Sequence, residues 1–441
     1  MLDTPQITKK FHKRLSEIQP IQKIGRVSKV VGLAIESLGP KARVGELCIL
    51  KNRNGEAINR CEIVGFKDNK IISMALGDLS DISPGMEICS AGEPLSVNID
   101  NRLMGRILNG LGEPIDGKPP VKSTHRRPVN SMPPNPLLRK RISEPISTGI
   151  RAIDGMLTFG KGQRVGIFAG SGVGKSTLLG MIARNTNADI NVIALIGERG
   201  REVREFIEKD LGKEGLARSI VVVATSDMPG IARIKAALTA TAIAEHFRDE
   251  GLDVMLMMDS VTRLAMAQRE VGLTVGEPPT SKGYTPSVFS LMQKTMERAG
   301  TGEHGTITGL YTVLVEGDDF NEPISDTARG ILDGHIILSR KIAAMGHYPA
   351  IDILESISRV RKDVISKEHN NAAFEIQSIL AAYRGAEDLI SVGAYQKGSN
   401  PKIDRAIRLN DAINDFLKQK TEESVEFDDT VKRIIELAAL E

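Results

Sequence analysis

Ala169-Gly170-Ser171-Gly172-Val173-Gly174-Lys175-Ser176-Thr177 is the stretch that decides the fold. Its glycines let the backbone turn tightly and aim N–H groups at an anion, while Lys175 adds a positive charge and the Ser176 hydroxyl can ligate Mg²⁺. Before it, Arg164-Val165-Gly166-Ile167-Phe168 reads as a buried strand. After it, Thr177-Leu178-Leu179-Gly180-Met181-Ile182-Ala183 continues as a helix, whose orphan N–H groups also favour phosphate. Strand, glycine loop and helix in that order make a P-loop; outside that context the same glycines would make only a flexible turn. The strict motif opens with Gly where this chain has Ala169, a position that needs only a small residue.

A nucleotide site that hydrolyses also needs a metal anchor and a group that orients water. Val254-Met255-Leu256-Met257-Met258-Asp259 is an apolar strand ending in a carboxylate, a pattern that sets an Asp beside the loop, where it can hold Mg²⁺ through water. Glu198 comes just after the apolar run 192–196, so it too stands at the carboxyl edge of a sheet and can polarise the attacking water. Arg199 beside it can brace that carboxylate or meet a phosphate. The alternative is a charged surface loop, since six of the residues from Glu198 to Glu205 are ionisable.

With 441 residues the chain has room for two or three domains, each able to bury a core without disulfides. Lys plus Arg number 58 and Asp plus Glu 56, a formal charge of +2, so bulk electrostatics announce neither a nucleic-acid nor a membrane partner. Trp is absent and aromatics make up 4% of residues, which argues against the stacking platforms of single-strand binders. Cys48, Cys61 and Cys89 lack metal-ligand spacing and read as reduced packing residues of a cytosolic protein. The N-terminus is polar and no segment approaches a membrane span, so a soluble intracellular chain is expected.

Residues 1 to about 20 read as an amphipathic lead-in with Ile7, Phe11 and Leu15 at four-residue spacing: a partner-docking helix, or a terminus that frays or packs on its neighbour. Short apolar runs come next at 27–35, 47–50, 62–66, 70–76 and 86–89, with turns at Asn54-Gly55 and Pro84-Gly85. They predict a small β-barrel, serving as a ring-forming collar or as a purely structural module. A Pro-rich extended connector lies beyond it, whose Arg126, Arg127, Arg139, Lys140 and Arg141 read as a solvated face or a nucleic-acid contact. Strand runs at 165–168, 192–196, 220–223, 254–258, 306–315 and 335–338 then alternate with helices, the rhythm of a doubly wound α/β domain. The last quarter has helical periodicity, as in Ala372, Ile376, Ile379, Leu380 and Tyr383 and again in Val431, Ile434, Ile435 and Ala438. The expected divisions are residues 1–94 for lead-in helix and barrel, 95–366 for the P-loop domain and 367–441 for a helical C-terminal domain.

With the loop, Gly197-Glu198-Arg199 and the strand ending at Asp259 in this order, the chain resembles the hexameric F/V-type rotary ATPase and type III export ATPase family. The resemblance runs nearly end to end. It includes Leu103-Met104-Gly105-Arg106-Ile107, Gly112-Glu113-Pro114-Ile115-Asp116-Gly117 and Thr148-Gly149-Ile150-Arg151-Ala152-Ile153-Asp154. Three strings look like the protein-export branch rather than the synthase β subunit: residues 197–206, residues 259–270, and Val392-Gly393-Ala394-Tyr395-Gln396-Lys397-Gly398-Ser399. The loop string and Val392-Gly393-Ala394-Tyr395 are similar to the flagellar rather than the virulence form.

The resemblance implies a RecA-like ATPase core in a homohexamer whose Mg-dependent ATP hydrolysis energises flagellar protein export. A virulence secretion ATPase, a synthase subunit and a non-catalytic ring subunit are the alternatives. It implies that Gly170, Ser171, Gly172, Val173, Gly174, Lys175, Ser176 and Thr177 cradle the phosphates, that Ser176 and Asp259 manage Mg²⁺, and that Glu198 acts on water. Arg199 and Arg263 would support the site. In His347-Tyr348-Pro349 the tyrosine would stack on adenine, unless it is a core residue. Arg359 would be an arginine finger offered to the neighbouring subunit, unless it is a surface ion-pair residue. Residues 270–284 would face the central pore and a coiled-coil stalk component, unless they form an ordinary surface loop. Further implied partners are an export-apparatus regulator at the N-terminus, cargo and chaperones, and the membrane export gate, but no nucleic acid. The implied location is cytoplasmic, peripheral to the inner face of the membrane at the flagellar base.

Overall fold

Between Ile24 and Pro94 six strands close a barrel in the computed structural model, which describes residues 23–440 apart from 122, 124, 316 and 318. The lead-in expected at the N-terminus lies outside the described residues. The strands are β1 (Ile24–Val31), β2 (Ala34–Leu38), β3 (Glu46–Lys51), β4 (Ala57–Lys67), β5 (Lys70–Ala75) and β6 (Glu87–Pro94), in the order β1-β2-β5-β4-β3-β6 with β6 returning to β1. The apolar run 27–35 is two strands, not one, because Gly32 adopts φ +56° and turns β1 into β2 as a hairpin. Alternate residues point inward. Ile35, Leu50, Ile63 and Ile88 are 0% exposed, and Cys48 and Cys61 face each other across β3 and β4 in the same core. The neighbouring Cys48 and burial hold the Cys61 thiol well above its ordinary range, and burial raises Cys89. All three cysteines are packing residues.

The barrel unit ends at Leu95 and a second unit runs from Ser96. It opens with β7 (Ser96–Ile99), β8 (Ile107–Asn109) and β9 (His125–Pro128). β7 and β9 pair antiparallel. The short antiparallel pair β10 (Pro145–Ile146) and β11 (Phe159–Gly160) leads into the central sheet. Its strands are β12 (Arg164–Ala169), β13 (Ile190–Ile196), β14 (Ser219–Ala224), β15 (Asp253–Asp259), β17 (Thr306–Leu314) and β18 (Gly334–Leu338), the six expected from the sequence. A further pair, β16 (Gly300–Thr301) on β17 and β19 (Ile357–Ser358) on β18, runs antiparallel. The order is β19-β18-β12-β17-β15-β13-β14-β8, parallel from β18 through β8. Helices such as Lys175–Asn185, Gly230–Asp249 and Val261–Thr274 link these strands, and coverage of both faces is why the strands read as unbroken apolar runs.

The connector is exposed along much of its length but fastened at two arginines. Arg127 pairs with Asp249 at 2.8 Å and Glu245 at 3.3 Å, and Arg139 donates to the Ala299 carbonyl at 2.7 Å. These two arginines hold the connector to the α/β core, while Arg126, Lys140 and Arg141 are exposed. Three C-terminal helices, Lys367–Ser391, Pro401–Leu417 and Phe427–Ala438, complete the unit. Their Ile376, Phe416 and Ile434 share one apolar core with Ile153, Leu179 and Ile182 around the loop helix. Among the described residues no helix is long and apolar enough to cross a membrane.

Candidate functional site

The parallel sheet sets three functional segments side by side at the carboxyl ends of its strands. β12 delivers the glycine loop, β13 delivers Gly197-Glu198, and β15 ends on Asp259. In the loop, Gly172 and Gly174 take φ +79° and +89°, a conformation that costs other L-residues energy, and Gly174 caps the helix Lys175–Asn185. Val173 turns its side chain into the core at 3% exposure, leaving its backbone N–H as what it can offer a phosphate.

Lys175 Nζ bonds to Asp259 Oδ1 and lies 3.5 Å from Glu198 Oε1. Asp259, 3% exposed, also accepts the Thr312 hydroxyl from β17 at 2.7 Å on the same oxygen, which leaves Oδ2 for another ligand. Glu198 is 8% exposed; Arg263 NH2 reaches its Oε2 at 3.1 Å, and Arg263 NH1 bonds to the Gly197 carbonyl. Ser260 caps the helix that carries Arg263 by accepting the Arg263 backbone N–H at 3.3 Å, which fixes that side chain's origin. Burial pushes the Glu198 carboxyl up to about 7, helped by the neighbouring Glu202 and by Asp259 and opposed by Lys175 and Arg263. Glu202 moves the opposite way, down, chiefly through the same contact with Glu198.

A cavity of about 620 Å³ takes in the loop together with Glu198, Arg199, Asp259 and Arg263. Arg199 is the outlying member: its side chain is 77% exposed and pairs with Glu202 at 2.9 Å. A second cavity, of about 660 Å³, adjoins the first at Gly174 and Thr177. Tyr348 lines it, 45% exposed, with its ring edge 3.5 Å from where a Cβ on Gly174 would sit. Residues 418–423 line it as well. The predicted phosphate, acid and base-side residues thus come together in one chain. Arg359 does not join them. It lies just past the edge strand β19, exposed, with its backbone N–H on Asp333 and its guanidinium 3.4 Å from the Arg329 carbonyl.

The donor set fits Mg²⁺. Among the described residues no three His, Cys, Asp or Glu side chains cluster as a metal cage. Ser176 and the open Asp259 oxygen offer two hard oxygens, which suits an ion that keeps waters and takes the rest of its shell from phosphates. Sequence reading passed over Thr312, a hydroxyl inside an apolar strand run; Glu202, hidden in a charged stretch; and Arg340, which contacts the loop at Gly170. Residues 270–284 are well anchored: Glu277 accepts the Ser287 backbone N–H at 2.8 Å, and Tyr284 is 2% exposed beneath the Arg269 guanidinium.

Residues 149–358 match the family described as ATP synthase alpha/beta family, nucleotide-binding domain. Residues 27–92 match the beta-barrel domain of the same family, and residues 365–436 match the T3SS EscN ATPase C-terminal domain. The "Flagellum-specific ATP synthase" of Bacillus subtilis (strain 168) is 54% identical over 95% of this chain and 96% of its own. The "Type 3 secretion system ATPase" of Xanthomonas euvesicatoria is 48% identical over 98% of each. Among solved structures, the assembled ATPase EscN from the enteropathogenic E. coli type III secretion system superposes with a TM-score of 0.89 at 44% identity. That match covers 94% of this chain and 100% of EscN. EscN has also been solved in complex with its central stalk EscO; that structure superposes with a TM-score of 0.87 at 43% identity, over 94% of this chain and 100% of the other.

Proposed function

Because the chain belongs to the ATP synthase alpha/beta family, in the group of flagellum-specific and type III secretion ATPases, we propose that it is a cytoplasmic, ring-forming homohexamer that hydrolyses Mg·ATP to energise flagellar protein export. The observation that carries the hydrolytic part is the placing of Glu198 and Asp259 on neighbouring parallel strand ends, both within reach of the loop lysine.

The geometry supports the following roles. Lys175 exchanges its carboxylate partners for phosphate oxygens, and the loop N–H groups meet the rest of that charge. Ser176 and Asp259 would hold Mg²⁺, which would supply charge neutralisation on the phosphate oxygens. Thr312 keeps the Asp259 carboxylate in one orientation. Glu198, ionised and steadied by Arg263, takes a hydrogen bond from the attacking water and aligns it with the terminal phosphorus. Tyr348 offers its ring to the base.

Arg359 supplies charge to the site of the next subunit. Its exposure and its distance from its own site support this reading, because a finger offered in trans has to leave its own chain. Residues 270–284 meet a stalk component in the ring's pore, a reading supported by the EscN–EscO complex. The regulator, cargo, chaperones and membrane gate complete the proposed partners. The test is ATPase rate against protein concentration for wild type and Arg359→Ala. Cooperative activation that Arg359→Ala removes is expected; a concentration-independent rate would overturn the shared site. The flagellar reading is favoured over the virulence one by 54% identity to the Bacillus subtilis protein, against 48% to the Xanthomonas euvesicatoria one. Loss of the gene should abolish flagellar filaments if the flagellar reading holds, and leave them intact if the virulence reading does.

A further inference from the structure

The cavity that Tyr348 lines has no other aromatic side chain among the described residues that line it, and one continuous segment supplies six of them. That segment is residues 418–423, Lys-Gln-Lys-Thr-Glu-Glu, lying between the helices Pro401–Leu417 and Phe427–Ala438. A polar run of this kind has no apolar side chain to seat it by packing, yet it bounds a cavity whose width matters to any flat ligand.

Hydrogen bonds hold it instead. Gln419, 5% exposed, accepts the Arg151 backbone N–H at 2.9 Å, and its amide nitrogen donates to the carbonyls of Gly149 at 2.7 Å and Glu423 at 3.0 Å. Its own backbone N–H donates to the Tyr348 carbonyl at 2.9 Å, so one residue ties the segment to Tyr348. Arg151, also 5% exposed, donates from Nε to the Phe416 carbonyl at 2.8 Å, while its terminal nitrogens reach the Lys418 carbonyl and the Glu423 carboxylate. Arg184 adds a bond to the Thr421 carbonyl at 2.7 Å. Both donors of the Gln419 amide are taken by protein carbonyls, and its oxygen accepts the Arg151 N–H. It lines the cavity with neither amide hydrogen left over for a base edge.

We propose that Arg151 and Gln419 are positioning residues that strap residues 418–423 beside Tyr348 and so set the slot that grips the nucleotide base. Neither touches the reacting phosphorus. The inference rests on the ATPase reading and goes beyond it by separating two parts of nucleotide affinity: the loop holds phosphates, and the strap governs the base.

The test compares ADP with pyrophosphate, each with Mg²⁺, by competition against a fluorescent ADP analogue on the full chain. Gln419→Glu keeps the shape of the side chain but turns its two donors into an acceptor facing the Gly149 and Glu423 carbonyls. It should weaken ADP about tenfold while pyrophosphate moves by less than about twofold, with KM for ATP raised and kcat nearly kept. Arg151→Lys, which retains charge but loses the forked contacts, should show the same selective loss, more weakly. Arg184→Gln, which removes a single outer bond, serves if the first variant does not fold. Equal losses for ADP and pyrophosphate, or none for either, would overturn the strap. Failure of the wild-type chain to bind either ligand would instead overturn the ATPase reading.

Discussion

Glu198 shows how one residue's surroundings set its chemistry. Its carboxyl stands near 7 because it is buried and has acidic neighbours in Glu202 and Asp259. The working form is the ionised one, so kcat/KM, which reports the free enzyme, should fall as pH drops through about 7. Glu202→Gln removes a group that raises the value, and the inflection should shift to lower pH; an unmoved profile would count against Glu198 as the group titrating. Glu198→Gln itself should lower kcat by at least about a hundredfold with nucleotide binding retained, measured by single turnover. Asp154 is a different case, a structural carboxylate at 0% exposure that collects the backbone N–H groups of Thr148 and Gly149 and the hydroxyls of Ser147 and Thr148. Asp154→Ala strands these donors and should cost about 2–4 kcal/mol in urea unfolding. The sequence made Lys175 legible through the glycine loop before it, and Glu198 and Asp259 through the apolar strand runs that they follow. It could not expose Thr312 or Gln419, whose meaning lies wholly in partners far along the chain.

Elements were legible in proportion to their burial. The six central strands announced themselves as continuous apolar runs, and barrel strands as short runs cut by glycines. β8 did not, because three residues carry too little pattern, and its place at the sheet edge is set by residues 110–119. Arg106, next to β8, forks onto Asp116 at 2.6 and 3.0 Å and onto the carbonyls of Lys118 and Pro119, closing the segment on itself. The pair's side chains are 9% and 7% exposed, and the guanidinium holds the Asp116 carboxyl down to about 2. Arg106→Ala leaves that carboxylate buried alone and should cost about 3–5 kcal/mol. The contribution of the pair is present above pH about 4 and fades as pH falls toward 2, so the gap between wild type and variant should narrow in acid. A gap that stays constant from pH 7 to pH 3 would show that packing, not the ion pair, holds the segment. The connector's arginines were the least legible, since a basic run looks the same whether it faces water or carbonyls.

For the whole molecule, a site completed by a neighbour makes a complementation prediction. Lys175→Ala and Arg359→Ala chains should each be inactive alone, yet mixing them should restore part of the rate, because some interfaces then join an intact loop to an intact arginine. No recovery in the mixture would place Arg359 outside the reaction. Such an assay needs a way to see which subunits meet, and the barrel supplies one. The chain has three cysteines, all buried on barrel strands, Cys48 and Cys61 in the barrel core and Cys89 on the other face of its strand. The Cys61 and Cys89 thiols are pushed upward and so protonated at neutral pH. To a maleimide or a bifunctional cross-linker the native protein is therefore nearly silent. A single cysteine placed beside Arg359 would report on its neighbour against a clean background, without first stripping the chain of its own thiols.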